Sequence, residues 1–100
     1  MTLTKEDVQK IITKNVAEIR GFGVKEIYLF GSTVRNEAKE TSDVDFFVVF
    51  EDPTQVGLFK LLELQSYLEQ KLQKKVDLGT KNSLHRALKD QILLEAKRVA

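Results

Sequence analysis

Apolar residues recur at helical spacing at Val8, Ile11, Ile12, Val16 and Ile19. They follow a Thr4/Asp7 pair that resembles a capping box with Asp in place of Glu, and the pattern stops at Gly21 and Gly23. This predicts a helix over residues 5–20. Ile27–Phe30 is a short β-rich run ending at Gly31, and Val44–Phe50 is a second, almost continuously apolar, closed by Glu51, Asp52 and Pro53. Both read as buried strands. Leu58, Leu61, Leu62, Leu68 and Leu72 mark one stripe of a long helix near 57–74, with Phe59, Leu64 and Tyr67 off that stripe. The three off-stripe residues fit core fillers against a second helix or a partner interface. A short strand over Lys75–Leu78 follows, and Asn82 is positioned to cap a last helix carrying Leu84, Leu88, Ile92, Ala96 and Val99. The expected order is αβ(α)βαβα, the bracketed helix being a short one after Gly31. That order defines an α/β (α+β) class, a small mixed sheet flanked by helices.

With 100 residues, one proline and no low-complexity tract, the chain is expected to form a single domain over 1–100. Sixteen Lys and Arg face fifteen Asp and Glu, a net charge of +1. That balance lacks the basic excess of a protein that coats nucleic acid and weighs against such a partner. There is no cysteine and one histidine, His85, which excludes disulfides, thiolate metal sites, Cys nucleophiles and zinc centres of two or more histidines. His85 itself reads as a surface or helix-cap residue. The longest apolar run, Phe46–Phe50, is far short of the roughly 20 residues of a membrane helix, and no signal pattern opens the chain. The expectation is a soluble cytoplasmic protein with no membrane contact.

Candidate chemistry is concentrated between Leu29 and Asp45. Gly31-Ser32 stands where a strand stops and a helix is expected to begin. Glycine there lets a ligand approach the backbone, while free N–H groups and the Ser32 hydroxyl face a phosphate. Asp43 and Asp45, two apart at the mouth of an apolar strand, point to one face of it. Anions entering a core are costly without cations, and Mg²⁺ is the hard ion that takes carboxylate and phosphate oxygens. Asp77 lies inside the apolar Val76-Asp77-Leu78 run, where solubility gives it no reason to be. Three strand-associated acids beside a phosphate cradle describe a two-metal phosphoryl-transfer centre. Bland roles compete: Asp43 could close a turn with Ser42, Asp77 could be an edge-strand acid facing water, and Arg35 either binds phosphate or pairs with Glu37, Glu40 or a site carboxylate. Lys71, Lys74, Lys75 and Lys81 read as a solvated face rather than a triphosphate clamp.

Gly31-Ser32, ten intervening residues, then Asp43-x-Asp45 resembles the signature of the DNA polymerase β-like nucleotidyltransferases, with Asp77 where their third carboxylate is expected. The resemblance runs from about Val24 to the last helix. The small size makes the chain most similar to the minimal nucleotidyltransferases, partners of helical HEPN proteins in toxin–antitoxin modules. One departure stands out: the family usually reads Arg-Gly, and here Arg35 precedes Asn36. Asparagine tolerates left-handed backbone, so the turn can survive. The resemblance implies transfer of AMP from ATP to a hydroxyl, most simply a tyrosine, of a HEPN toxin, with two Mg²⁺ ions. It makes the chain the antitoxin, as a homodimer or in a hetero-oligomer with the toxin. On this reading Asp43 and Asp45 bridge the metals, Asp77 completes the one that activates the acceptor, and Gly31, Ser32 and Arg35 serve the nucleotide. The rival is an antitoxin that neutralises its partner by complex formation alone; loss of one acid would favour it, and all three are present.

Overall fold

In the computed structural model, which describes residues 3–55, 57–84 and 88–100, four helices and four strands alternate unevenly. Chain order is α1 (Lys5–Lys14), α2 (Val16–Gly21), β1 (Val24–Phe30), β2 (Val44–Phe50), α3 (Leu58–Leu72), β3 (Val76–Thr80), α4 (Lys89–Glu95) and β4 (Lys97–Arg98). The Thr4/Asp7 capping box forms, with the Asp7 N–H donating to Thr4 Oγ1 at 3.1 Å and the Thr4 N–H to Asp7 Oδ2 at 3.0 Å. The single helix expected over 5–20 is two helices. At Asn15 the side-chain Nδ2 donates to the Ile11 carbonyl at 2.8 Å, and the backbone leaves helical geometry at φ −109°, ψ 15°. A side-chain amide that competes for the backbone acceptor is the usual reason asparagine interrupts a helix.

The sheet order is β3-β2-β1-β4, mixed as expected: β1 runs antiparallel to β2 and β4, and β2 parallel to β3. A register shift between Val24 and Glu26 lets Val24, Ile27 and Leu29 all face the helices. From β2, Val44, Phe46, Val48 and Phe50 join that core with Val8, Ile12, Leu64, Leu68 and Leu72. Strand alternation therefore sends Asp45 and Phe47 to the other face. There Phe47, 1% exposed, stacks on Tyr28 with ring centroids 4.7 Å apart and packs against Phe30 at 5.8 Å.

Several expectations need correcting. No short helix follows Gly31; residues 31–36 are a run of turns, with the Asn36 N–H donating to the Thr33 carbonyl and the Glu37 N–H to the Ser32 carbonyl. The buried stripe of α3 is half-buried Leu61 with Leu64, Leu68 and Leu72, at helical spacing, so Leu58 and Leu62 fall outside it. Phe59 is 82% exposed and fills no core, whereas Leu64 is buried and Tyr67 packs on Phe22 at 5.4 Å. The last helix is shorter than its apolar spacing implied. Thr80 and Ser83 bond reciprocally around a 3-10 turn, α4 begins only at Lys89, and Val99 is buried beyond β4. The observed order is thus ααββαβαβ. His85 lies outside the described residues. Among those described, no helix is long and apolar enough to cross a membrane.

Because Phe47 has lost all contact with water on the face that carries Asp45, Phe47→Ala is expected to cost about 3–5 kcal/mol, and Phe47→Leu markedly less. Urea denaturation measures both, and a loss below about 1 kcal/mol for the alanine would show that the aromatic layer is not a core.

Candidate active site

The two strand directions bring the chemistry together. Phe30 pairs with Asp45 across the antiparallel β1/β2 ladder, and Asp45 pairs with Asp77 across the parallel β2/β3 ladder. The C-terminal end of β1, with Gly31 and Ser32, therefore meets the N-terminal start of β2, and Asp77 stands abreast of Asp45. Gly31 adopts φ +81°, which only glycine takes without strain. A Cβ there would collide with the Asp45 carboxylate oxygen Oδ2 and lie 3.1 Å from its Cγ. Glycine is thus required twice over, by the backbone and by the acid packed against it. Asn36 takes φ 58°, so asparagine keeps the left-handed turn at that place.

Burial pushes the Asp45 carboxyl up to about 6, reinforced by the charges of Asp77 and Asp43 and opposed by Arg35. Asp43 is exposed just ahead of β2, and the preceding turn is closed by Ser42 rather than by Asp43: Ser42 Oγ accepts the Lys39 N–H at 2.9 Å. Lys74 grips the same turn from the end of α3, its Nζ donating to the Glu40 carbonyl at 2.8 Å and to Lys39 at 3.1 Å. Asp77 is exposed on an edge strand, as its bland reading held, yet it also borders a cavity of about 330 Å³ shared with Phe30, Ser83, Leu84 and Ile92. A comparable cavity of about 360 Å³, lined by Phe50, Pro53, Leu58 and Leu61, lies at the far end of β2 from the acids.

Arg35 is committed to two carboxylates. Its Nε meets Glu37 at 3.1 Å, and its Nη1 meets both oxygens of Glu95 at 3.0 and 2.9 Å. Glu95 also accepts the Gly31 N–H at 3.2 Å. Lys74, which the sequence places on a solvated face, instead holds backbone about 35 positions away, and Glu95, about 60 positions from its partners, does not stand out in the sequence at all. Among the described residues, no three or more acid, His or Cys side chains converge tightly enough to form a metal cage by themselves. The acids form a row along one sheet face, and their hard oxygens suit an ion that takes one or two carboxylates and completes its shell with phosphate oxygens.

A turn glycine packed on one of a row of strand acids, on a mixed α/β sheet, is the arrangement that the resemblance to the nucleotidyltransferases implies. The chain belongs to the nucleotidyltransferase domain family, which matches residues 9–100. It is 47% identical over 94 residues to the protein adenylyltransferase MntA of Thermococcus cleftensis, covering 93% of each chain. It superposes at a TM-score of 0.79 on a solved structure assigned as a minimal nucleotidyltransferase, 29% identical and 95% covered on each side. A toxin–antitoxin crystal structure with AMP-PNP matches at a TM-score of 0.69 and 26% identity, over 98% of this chain and 73% of that one.

Two outcomes follow from the Gly31–Asp45 contact. Gly31→Ala is expected to cost about 2 kcal/mol from the left-handed backbone alone, more with the collision, as urea denaturation will show. Asp45 holds its proton more tightly folded than unfolded, so the folded state loses stability as pH rises from about 4 through 6. Discounted for the half of the carboxyl that water still reaches, the loss is about 1 kcal/mol. Asp45→Asn should remove it: the two proteins melt alike near pH 4, and the variant melts higher at pH 7. Parallel melting curves across that range would show that Asp45 titrates normally.

Proposed function

We propose that this chain is a Mg²⁺-dependent protein adenylyltransferase that moves AMP from ATP to a tyrosine hydroxyl of a HEPN-type toxin, and so acts as its antitoxin. The observation that carries the reading is the row Phe30–Asp45–Asp77 beside Gly31-Ser32. The similarity to the Thermococcus protein adenylyltransferase supports the reaction class, and the toxin–antitoxin structure with AMP-PNP supports both the adenine nucleotide and the kind of partner.

Asp43, Asp45 and Asp77 would hold the metal, two ions on this reading. Bound there, Mg²⁺ supplies charge neutralisation for the carboxylates and the phosphates and acidifies the acceptor hydroxyl. The Gly31 N–H and the Ser32 hydroxyl hold the departing phosphates. Displacement at the α-phosphorus is in line, so the acceptor enters opposite them, where Asp77 and its cavity are open. The acceptor oxygen forms its bond to the α-phosphorus as the bond to the bridging oxygen breaks. Pyrophosphate leaves, and the hydroxyl proton passes to the Asp77 carboxylate. A tyrosine suits this entrance because its hydroxyl stands far from its own backbone and ionises more readily than an alcohol.

Incubation with ATP, Mg²⁺ and a HEPN-type toxin that it neutralises should add AMP-sized mass to that toxin, read by intact-mass spectrometry. Changing the modified tyrosine to Phe should abolish the addition, and Asp45→Asn should slow it by at least about a hundredfold. Full neutralisation without nucleotide, and no added mass with any NTP, would replace the enzyme with a complex-forming antitoxin.

A further inference from the structure

Glu95 is the last residue of α4, and its carboxylate lies where it is least expected on electrostatic grounds, near enough to Asp45 to repel it. Its oxygens take the Gly31 N–H at 3.2 Å and the Arg35 guanidinium at 3.0 and 2.9 Å, with the side chain 20% exposed. A backbone N–H on a left-handed glycine and an arginine on the following turn are donors suited to any oxyanion, carboxylate or phosphate. The element that delivers Glu95 has no buried residue, so little apolar packing holds it in place. Apart from Glu95, its anchorage comes from the segment that follows it: the two-residue ladder of β4 on β1, the backbone bonds of Ile27 with Val99 and Ala100, buried Val99, and the Gln9 bond to the Val99 carbonyl.

We propose that Glu95 is an internal stand-in for a nucleotide phosphate: it occupies the Gly31 amide and Arg35 in the free protein, and the nucleotide's phosphates displace it. The inference rests on the reading of Gly31-Ser32 as the phosphate seat and adds a residue that sets how tightly that seat binds. Nucleotide binding is then an exchange of one anion for another. Arg35 changes partner, and the α4 end of the chain is released from the turn.

The test is calorimetric titration of the full chain with two probes, ATP with Mg²⁺ and inorganic tripolyphosphate, for wild type, Glu95→Gln and Glu95→Asp. Removing the charged competitor should tighten both probes about tenfold in Glu95→Gln, one charge-assisted bond's worth. Glu95→Asp, which keeps the charge on a shorter arm, should fall between. In an Arg35→Ala background the Glu95→Gln gain should shrink, since the competitor acts largely through that guanidinium. Unchanged or weaker binding of both probes by Glu95→Gln would overturn the proposal and make Glu95 a structural tether, or a residue that positions Arg35 in the bound state. Binding of neither probe by any variant would overturn it together with the phosphate seat. Binding of both, without AMP transfer to a toxin, would leave the stand-in intact and count only against the proposed reaction.

Discussion

A carboxylate half inside an apolar sheet, pressed against a backbone with no side chain, is the constraint around which this molecule is arranged. Asp45 interrupts a strand whose neighbours are Val44, Phe46, Phe47 and Val48, all buried. Such a group is tolerated where it is either neutral or compensated, and its raised pKa shows that the protein alone compensates it poorly. Gly31 has to be glycine because Asp45 is there. The turn beyond it has to reverse quickly so that its backbone stays beside the carboxylate, and left-handed geometry at Gly31 and Asn36 brackets that reversal.

The supporting contacts come from distant parts of the chain. Lys74, just past α3, holds the carbonyls of the turn that leads into Asp43. Gln65 and Glu69 of α3 bond the backbone of Val76 through its carbonyl and its N–H, which fixes the start of β3 one residue before Asp77. At the other edge, Gln9 of α1 donates to the Val99 carbonyl at 2.7 Å, tying the C-terminal segment to the helix layer. Each bond is worth only about 1 kcal/mol, but together they set the register in which Phe30, Asp45 and Asp77 come abreast. A one-residue slip of β3 would turn Asp77 toward the core and Val76 or Leu78 toward the site.

The parts legible in the sequence were those set by local rules. Strand alternation placed Asp43 and Asp45, the need for a turn after an apolar run placed Gly31, and the capping pair at Thr4 and Asp7 formed as expected. Most of what escaped is non-local. The two residues of β4 are strand because β1 offers them an edge, while Ala96 and Val99 continued an apolar spacing that looked helical. Asn15 broke a helix by a side-chain bond that periodicity does not register. Arg35 does pair with Glu37, one of the partners that its neighbourhood offers, but its second partner, Glu95, is 60 positions away.

The electrostatics of the site follow from how few cations serve it. Asp45 is repelled by Asp77, Asp43 and Glu95, and the guanidinium of Arg35 opposes them. That guanidinium is itself held chiefly by Glu95 and secondarily by Glu37, which raise its pKa further. With a net charge of +1, the chain offers little long-range field to draw in a polyanion. On the proposed function, then, a triphosphate cannot simply be added to this site. It must bring cations that satisfy the carboxylate row, take over donors already engaged by a carboxylate, or do both. On that function, the row that repels a bare nucleotide would favour one carrying divalent metal, and the poor internal compensation of Asp45 would be the physical basis of that preference.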